Sequence, residues 1–178
     1  GNLAFATPSS ADMVLLSTTN ASTASTVDLT GNFTSTYTSY MVKGLDIFCS
    51  SNAAYLALQM YHNGSVVTSG DYFGHLMKPT NTSASYSGET IYSASSIKIL
   101  SALSSTSNQG TGFIINLLNN PTANSRKFIT WSGQSAVGYN TNFGGGFLAL
   151  EANSDITGLR FLTGAGTVSG KFLLYGIK

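Results

Sequence analysis

Charged residues are scarce in this sequence. They make up only 8% of the 178 residues, and the formal net charge is +1, whereas an ordinary globular domain has about 25% charged residues. The basic residues stand singly, apart from the neighbours Arg126 and Lys127. Polynucleotides and anionic lipid surfaces are bound by clustered basic side chains. The composition therefore argues against nucleic acid as a partner and against a membrane surface.

Cysteine and long apolar runs are also scarce. Cys49 is the only cysteine, so no disulfide can form within the chain. It alternates in phase with Leu45 and Ile47, which predicts a small buried side chain. A membrane-spanning helix needs about 18 or more consecutive apolar residues, and the sequence has no such run. We therefore expect no insertion into a membrane.

Motifs for catalysis or metal binding are missing as well. The seven acidic residues stand alone in polar or turn-like surroundings, and His62 and His75 lie in unrelated segments. Structural zinc sites need about four ligands at set spacings, and no phosphate-binding or nucleophile motif occurs. We predict no catalytic residues, no metal site and no cofactor. Folding could still bring two carboxylates together, so a polysaccharide depolymerase stays open as an alternative.

Short β-type segments separated by turn residues fill the sequence. About ten such segments recur every 10–15 residues or so, and no amphipathic helix interrupts them. This pattern predicts an all-β fold, an antiparallel β-sandwich that is jelly-roll-like and has about ten strands. Residues 1–11 are rich in Ala, Ser, Thr and Pro and are predicted to form an arm or linker. Residues 12–178 are predicted to form a single domain.

Two local features of the strands can be placed from the sequence. Residues 54–62 alternate cleanly and are followed by Asn63-Gly64, the strongest short-range signal for a β-hairpin. In the segment 37–49 the apolar residues change parity around Gly44. A bulge at this glycine would bring both sets onto one face of the strand.

Two groups of aromatic and amide residues near predicted loops are candidates for contact with a receptor or ligand. Aromatic faces combined with amide groups are typical of sugar binding and of flat protein surfaces. The alternative is that these side chains fill the ends of the sandwich or a subunit interface. The candidates are Trp131, Tyr139, Asn140 and Asn142 in one group, and Tyr72, His75 and Tyr86 in the other.

The stretch 156–178, ITGLRFLTGAGTVSGKFLLYGIK, has the most regular pattern in the chain. Two apolar runs flank the glycine-rich segment 164–170, which predicts a β-hairpin with a long, bulged turn. The second run has apolar side chains on both faces. A strand of this kind is typical of a sheet that is covered on both sides, here by the second sheet and by a partner.

The same stretch resembles the C-terminal signature of bacteriophage virion structural proteins of the tail, tail-fibre and capsid-decoration type. The signature is Gly-x-Arg-Phe followed by Ser-Gly-x-Phe-x-Leu-Tyr-Gly-Ile, matched here by residues 158–161 and 169–177. A weaker similarity covers residues 40–72, around His62-Asn63-Gly64. The resemblance implies a β-sandwich, a place in the virion and a structural role.

These observations together predict a trimeric tail or tail-fibre component that takes part in host attachment through its end loops. The low charge, the strands that are apolar on both faces and the resemblance favour a homotrimer. Expected partners are further copies of the chain, other virion proteins and a glycan of the host cell surface. Capsid decoration is the alternative within the virion, and a carbohydrate-binding module is the alternative outside it.

Overall fold

The computed structural model describes residues 12–79, 86–118, 126–135, 140–149 and 155–178. Within these ranges the chain forms thirteen β-strands and one turn of 3-10 helix, Ser107–Gln109. The strands are β1 (Met13–Ala24), β2 (Thr26–Thr30), β3 (Ser39–Cys49), β4 (Ala54–His62), β5 (Ser65–Val66), β6 (Tyr72–Pro79), β7 (Tyr86–Ala94), β8 (Ile97–Leu103), β9 (Thr111–Leu117), β10 (Lys127–Ser135), β11 (Asn140–Leu148), β12 (Ile156–Thr163) and β13 (Val168–Ile177). The all-β prediction is confirmed. The predicted arm, residues 1–11, lies outside the described residues.

The strands form two antiparallel sheets. The larger sheet has eight strands in the order β1-β13-β3-β9-β10-β11-β6-β7. The smaller sheet has the order β2-β12-β4-β5, and β8 also pairs with β4. β5 pairs with the end of β4 and β8 with its beginning, so both lie along the same edge of β4.

The path of the chain through these sheets is that of a jelly roll. The set β1-β13-β3-β9 faces the set β2-β12-β4-β8, and the first and last strands are neighbours. Eight strands in two such sets form the two Greek keys of a jelly roll. The remaining strands β10, β11, β6 and β7 extend the larger sheet beyond β9. The sandwich and jelly-roll predictions are therefore confirmed, with thirteen described strands rather than about ten.

The predicted terminal hairpin is wrong. β12 pairs with β2 and β4 in the smaller sheet, whereas β13 pairs with β1 and β3 in the larger one. The segment 164–167 therefore crosses from one sheet to the other. Gly166 has a positive φ of 73°, and a Cβ there would lie 2.4 Å from Ser50 Oγ, so the crossing requires glycine at this position. Both of these last two strands thus lie inside their sheets, each between two neighbouring strands.

Three phenylalanine rings join the two sheets at the centre of the core. Phe161 on β12 lies 5.0 Å from Phe172 on β13 and 5.6 Å from Phe113 on β9, measured between ring centroids. Phe161 and Phe172 are completely buried. Gly44 on β3 makes room for the Phe113 ring, since a Cβ there would lie 2.2 Å from its Cε1 atom.

Two local predictions are confirmed and one strand was missed. The pairing of β3 with β9 shifts register between Gly44 and Ile47, which is the expected bulge. Asn63 and Gly64 have φ values of 48° and 83° and join β4 to β5, as expected for a tight hairpin. By contrast, the sequence pattern did not indicate the strand β7, which begins at Tyr86. It is an edge strand, and edge strands carry few apolar residues.

The triple glycine 144–146 lies inside β11, where the packing explains its presence. A Cβ on Gly144 would lie 2.1 Å from the His75 carbonyl oxygen and 2.4 Å from Trp131 Cζ2. A Cβ on Gly145, on the opposite face, would meet only the Ile129 carbonyl oxygen, at 3.6 Å. Gly144 thus allows β11 to approach β6 and the Trp131 ring closely.

Substitution of these two glycines should therefore have opposite outcomes. We expect Gly144→Ala to lower the free energy of unfolding by about 1–3 kcal/mol, because β6 and Trp131 must shift to admit the methyl group. We expect Gly145→Ala to change it by less than about 1 kcal/mol. Urea unfolding followed by the fluorescence of Trp131, the only tryptophan, measures both values. Equal destabilisation by the two variants would contradict this account.

Candidate functional site

The outer face of the larger sheet, the side turned away from the smaller sheet, carries most of the exposed apolar side chains. Ten large apolar residues are exposed among the described residues. The strand registers place eight of them on this outer face, where Tyr92 of the edge strand β7 joins them through its contact with Phe73. The tenth, Tyr55, lies on β4 of the smaller sheet. The eight are Met13, Leu15, Leu45, Met77, Ile114, Leu118, Phe128 and Phe143. Exposed apolar residues concentrated on one side are typical of an interaction surface.

A row of aromatic rings crosses the extended part of this outer face. Phe128 on β10 contacts Phe147 on β11, with 5.8 Å between ring centroids. Phe147 stacks on Phe73 of β6 at 5.5 Å, and the Arg126 guanidinium lies 5.7 Å from the centre of the Phe147 ring. Cross-strand aromatic pairs stabilise a sheet. They also leave ring faces available to a partner.

Two shallow grooves lie on the outer face where glycines leave the sheet uncovered. The first, of about 440 Å³, is lined among others by Lys43, Leu45, Gly112, Ile114 and Gln134. The second, of about 370 Å³, has Gly145 in its floor and is bordered by Leu118, Phe128, Phe147 and His75. The side chains of a second macromolecule could enter such grooves.

Three of the seven predicted contact residues are core residues. Tyr72, Trp131 and Asn142 expose 0%, 4% and 0% of their surfaces, because they occupy inward positions of β6, β10 and β11. Their side chains therefore present no surface to a ligand, which corrects the prediction for these three. All three residues were predicted to lie in or beside loops, but they lie within strands and their side chains point into the core.

The polar atoms of these three side chains face the interior. The Tyr72 hydroxyl donates a hydrogen bond to the Val67 carbonyl at 3.0 Å and accepts one from the Met60 amide at 2.7 Å. Burial raises the pKa of Tyr72 to about 12. The Asn142 Oδ1 accepts a hydrogen bond from the Ser101 amide at 3.1 Å, whereas the buried Trp131 Nε1 has no partner among the described residues. Tyr72 thus ties β6 to the segment after β5.

The other four candidates lie elsewhere. His75 is exposed and borders the second groove of the outer face. Tyr86 and Asn140 are described only as backbone, at the first positions of β7 and β11. Tyr139 lies outside the described residues. Sequence reasoning did not single out Ile114, Phe128 or Phe143, although strands that are apolar on both faces were the signal that pointed to them.

A charged cluster on the smaller sheet ties three strands together. Arg160 on β12 donates two hydrogen bonds to Asp28 on β2, from Nε at 2.7 Å and from Nη2 at 2.9 Å. Its Nη2 also donates to the Tyr61 hydroxyl on β4 at 2.7 Å. The hydrogen bond from Arg160 is the main cause that lowers the pKa of Asp28 below its usual value of 3.8. Arg160, which is part of the C-terminal signature, thus links β12 to both of its neighbouring strands, β2 and β4.

The described residues contain neither a cluster of metal ligands nor a membrane-spanning helix. No three His, Cys, Asp or Glu side chains of the described residues lie close enough together to hold a metal ion. None of the described segments is a helix suited to crossing a membrane.

Comparisons of the sequence found no relative of this chain. No protein-family model matches the chain, and no curated protein matches it.

The Asp28–Arg160 pair predicts a dependence of stability on pH. Because the pKa of Asp28 is lowered in the folded chain, the stabilisation is present above the usual pKa of 3.8 and is lost as the pH falls through the lower, folded value. We expect Asp28→Asn to lower the free energy of unfolding by about 1 kcal/mol near neutral pH, since the pair is partly exposed. The difference from the wild type should shrink on acidification below about pH 4.

Urea unfolding of both proteins between about pH 7 and pH 3 measures this difference. Arg160→Lys serves as the matched variant, because it retains the charge but cannot form the two parallel hydrogen bonds. Its stability should lie between the other two. A difference between wild type and Asp28→Asn that stays constant across the pH range would refute the assignment.

Proposed function

We propose that this chain is a structural subunit of a bacteriophage particle, a component of the tail or tail fibre that forms a homotrimer and takes part in attachment to the host. The observation that carries the proposal is the outer face of the larger sheet, where eight large apolar side chains are exposed together. A subunit that stayed single would leave this surface in water. The resemblance of residues 156–178 to virion proteins supports a place in the phage particle, and it favours a homotrimer.

The size of the outer face supports further copies of the chain as its occupant. Eight neighbouring strands about 4.8 Å apart make a face about 34 Å wide, and their paired lengths are about 25 Å. The product is close to the area of about 800 Å² that each partner contributes to a stable interface.

The charge of the chain supports the same occupant. With a formal net charge of +1, identical copies approach one another without strong repulsion. Two lysines lie on the outer face: Lys43 Nζ is 5.4 Å from the centre of the Tyr175 ring, and Lys171 is exposed next to Leu45 in the register of β13 with β3. Depletion of charge in the centre of a surface is typical of an interface core.

Analytical ultracentrifugation at micromolar concentration tests the assembly. We expect the wild type to sediment as a trimer and Phe128→Glu to shift strongly towards monomer, because assembly would have to take a carboxylate out of water into an apolar face. Thr30→Glu introduces the same charge at an exposed position of the smaller sheet and should leave the trimer intact. A monomeric wild type, or equal effects of the two variants, would sink the proposal.

The genes that flank the coding sequence test the place in the particle. Baseplate genes and a lysis cassette next to it would support the tail, whereas portal and major-capsid genes would support capsid decoration. A glycoside hydrolase in the same reading frame would replace both with a carbohydrate-binding module.

A further inference from the structure

His75 lies on β6 within an apolar part of the outer face. The strand registers place Gly145 of β11 and Thr90 of β7 on either side of it. Along β6, Phe73 and Met77 are the outward residues before and after it. Its side chain is exposed and borders the groove that has Gly145 in its floor. An ionisable imidazole is thus set among uncharged neighbours.

Exposed apolar side chains form a triangle around His75. Met77 is the next outward residue on β6, Phe128 lies two strands away on β10, and Tyr92 lies on the edge strand β7. These three side chains expose 39%, 42% and 78% of their surfaces. The Tyr92 ring contacts Phe73 edge-on, with 5.3 Å between ring centroids. Because His75 lies inside this triangle, a second subunit that covers the apolar side chains also covers the imidazole.

The carboxylates closest to His75 along the strands are engaged elsewhere. Glu89 on β7 lies opposite Leu76, an inward residue of β6, and its Oε1 is 2.6 Å from Lys98 Nζ of β8. Asp71 precedes β6 and accepts a hydrogen bond from a neighbouring serine. β11, the other neighbour of β6, contains no charged residue. Among the residues that the structure describes, an imidazolium at this position therefore has no carboxylate beside it.

Arg126 brings a positive charge to the same part of the outer face. Its guanidinium lies 5.7 Å from the centre of the Phe147 ring, and Phe147 borders the same groove as His75. Lys78, the one lysine of β6, has the inward parity of Leu76. Protonation of His75 therefore adds a second positive charge to this part of the face, and like charges on identical copies repel one another.

We propose that His75 makes assembly of the trimer dependent on pH, with a neutral imidazole in the trimer and an imidazolium in the separate subunits. This regulation rests on the proposed function, because it acts on the contact described there. Histidine changes its charge between about pH 5 and pH 8, and burial among apolar side chains favours its neutral form. The trimer then binds fewer protons than three separate subunits. By linkage it is stable at neutral pH and weakens as the pH falls.

Sedimentation of the full chain at about pH 7.5 and at about pH 5.5 tests this dependence, since the range brackets the titration of histidine and leaves carboxylates charged. We expect the wild type to need a concentration about tenfold higher or more to stay trimeric at the lower pH, because each subunit gives up a proton on assembly. His75→Gln is neutral throughout and should sediment alike at both values. His75→Arg is always charged and should be mainly monomeric at both.

His62→Gln is the matched control, because His62 lies at the end of β4 in the smaller sheet. This variant should keep the pH dependence of the wild type. Circular dichroism at both pH values verifies that every protein stays folded.

The outcomes separate the regulation from the assembly itself. A wild-type trimer that dissociates equally at both pH values would overturn the regulation and leave the proposed assembly standing. Dependence on pH that survives His75→Gln, that disappears in His62→Gln, or that accompanies loss of strand structure would also overturn it. A wild type that is monomeric at both values would remove the proposed assembly and its regulation together.

Discussion

The contact between Phe113, Phe161 and Phe172 is the interaction on which the rest of the structure depends. It joins the two sheets where β9 and β13 of one sheet face β12 of the other. Buried aromatic residues of this size contribute most to a core, and Gly44 leaves the space that one ring requires. Because β12 lies between β2 and β4 and β13 lies between β1 and β3, the C-terminal stretch is paired on both sides in each sheet.

The unequal sizes of the sheets explain where the apolar surface lies. The larger sheet has eight strands and the smaller one five, and β8 of the smaller sheet packs on the inner side of β6, β10 and β11. Nothing in the described chain covers the larger sheet from outside, and its outer positions are nevertheless apolar. A sequence with 8% charged residues has few side chains with which to make such a face soluble. The scarcity of charged residues is therefore one reason why the outer face of the larger sheet is apolar.

The prediction of local features was successful where neighbouring residues decide the outcome. The alternation in 54–62, the tight turn at Asn63-Gly64 and the bulge after Gly44 all depend on residues close in sequence. The prediction of a terminal hairpin was wrong because β12 pairs with β2 and β4 and β13 pairs with β1 and β3, instead of with each other. These partner strands lie far away in the chain. Likewise, β7 has too little apolar content to be recognised alone, and it exists because β6 offers an edge.

The sequence by itself determined that this protein is built of strands, that it has very little charge and that its strands are apolar on both sides, since side-chain alternation and composition are local properties. Only the tertiary structure decided which side of each strand faces the core. Tyr72, Trp131 and Asn142 were placed inside, and Glu89 of β7 was brought into an ion pair with Lys98 of β8 in the other sheet. The physical reason is that a strand has two faces, and packing between sheets, not alternation, decides which face is buried.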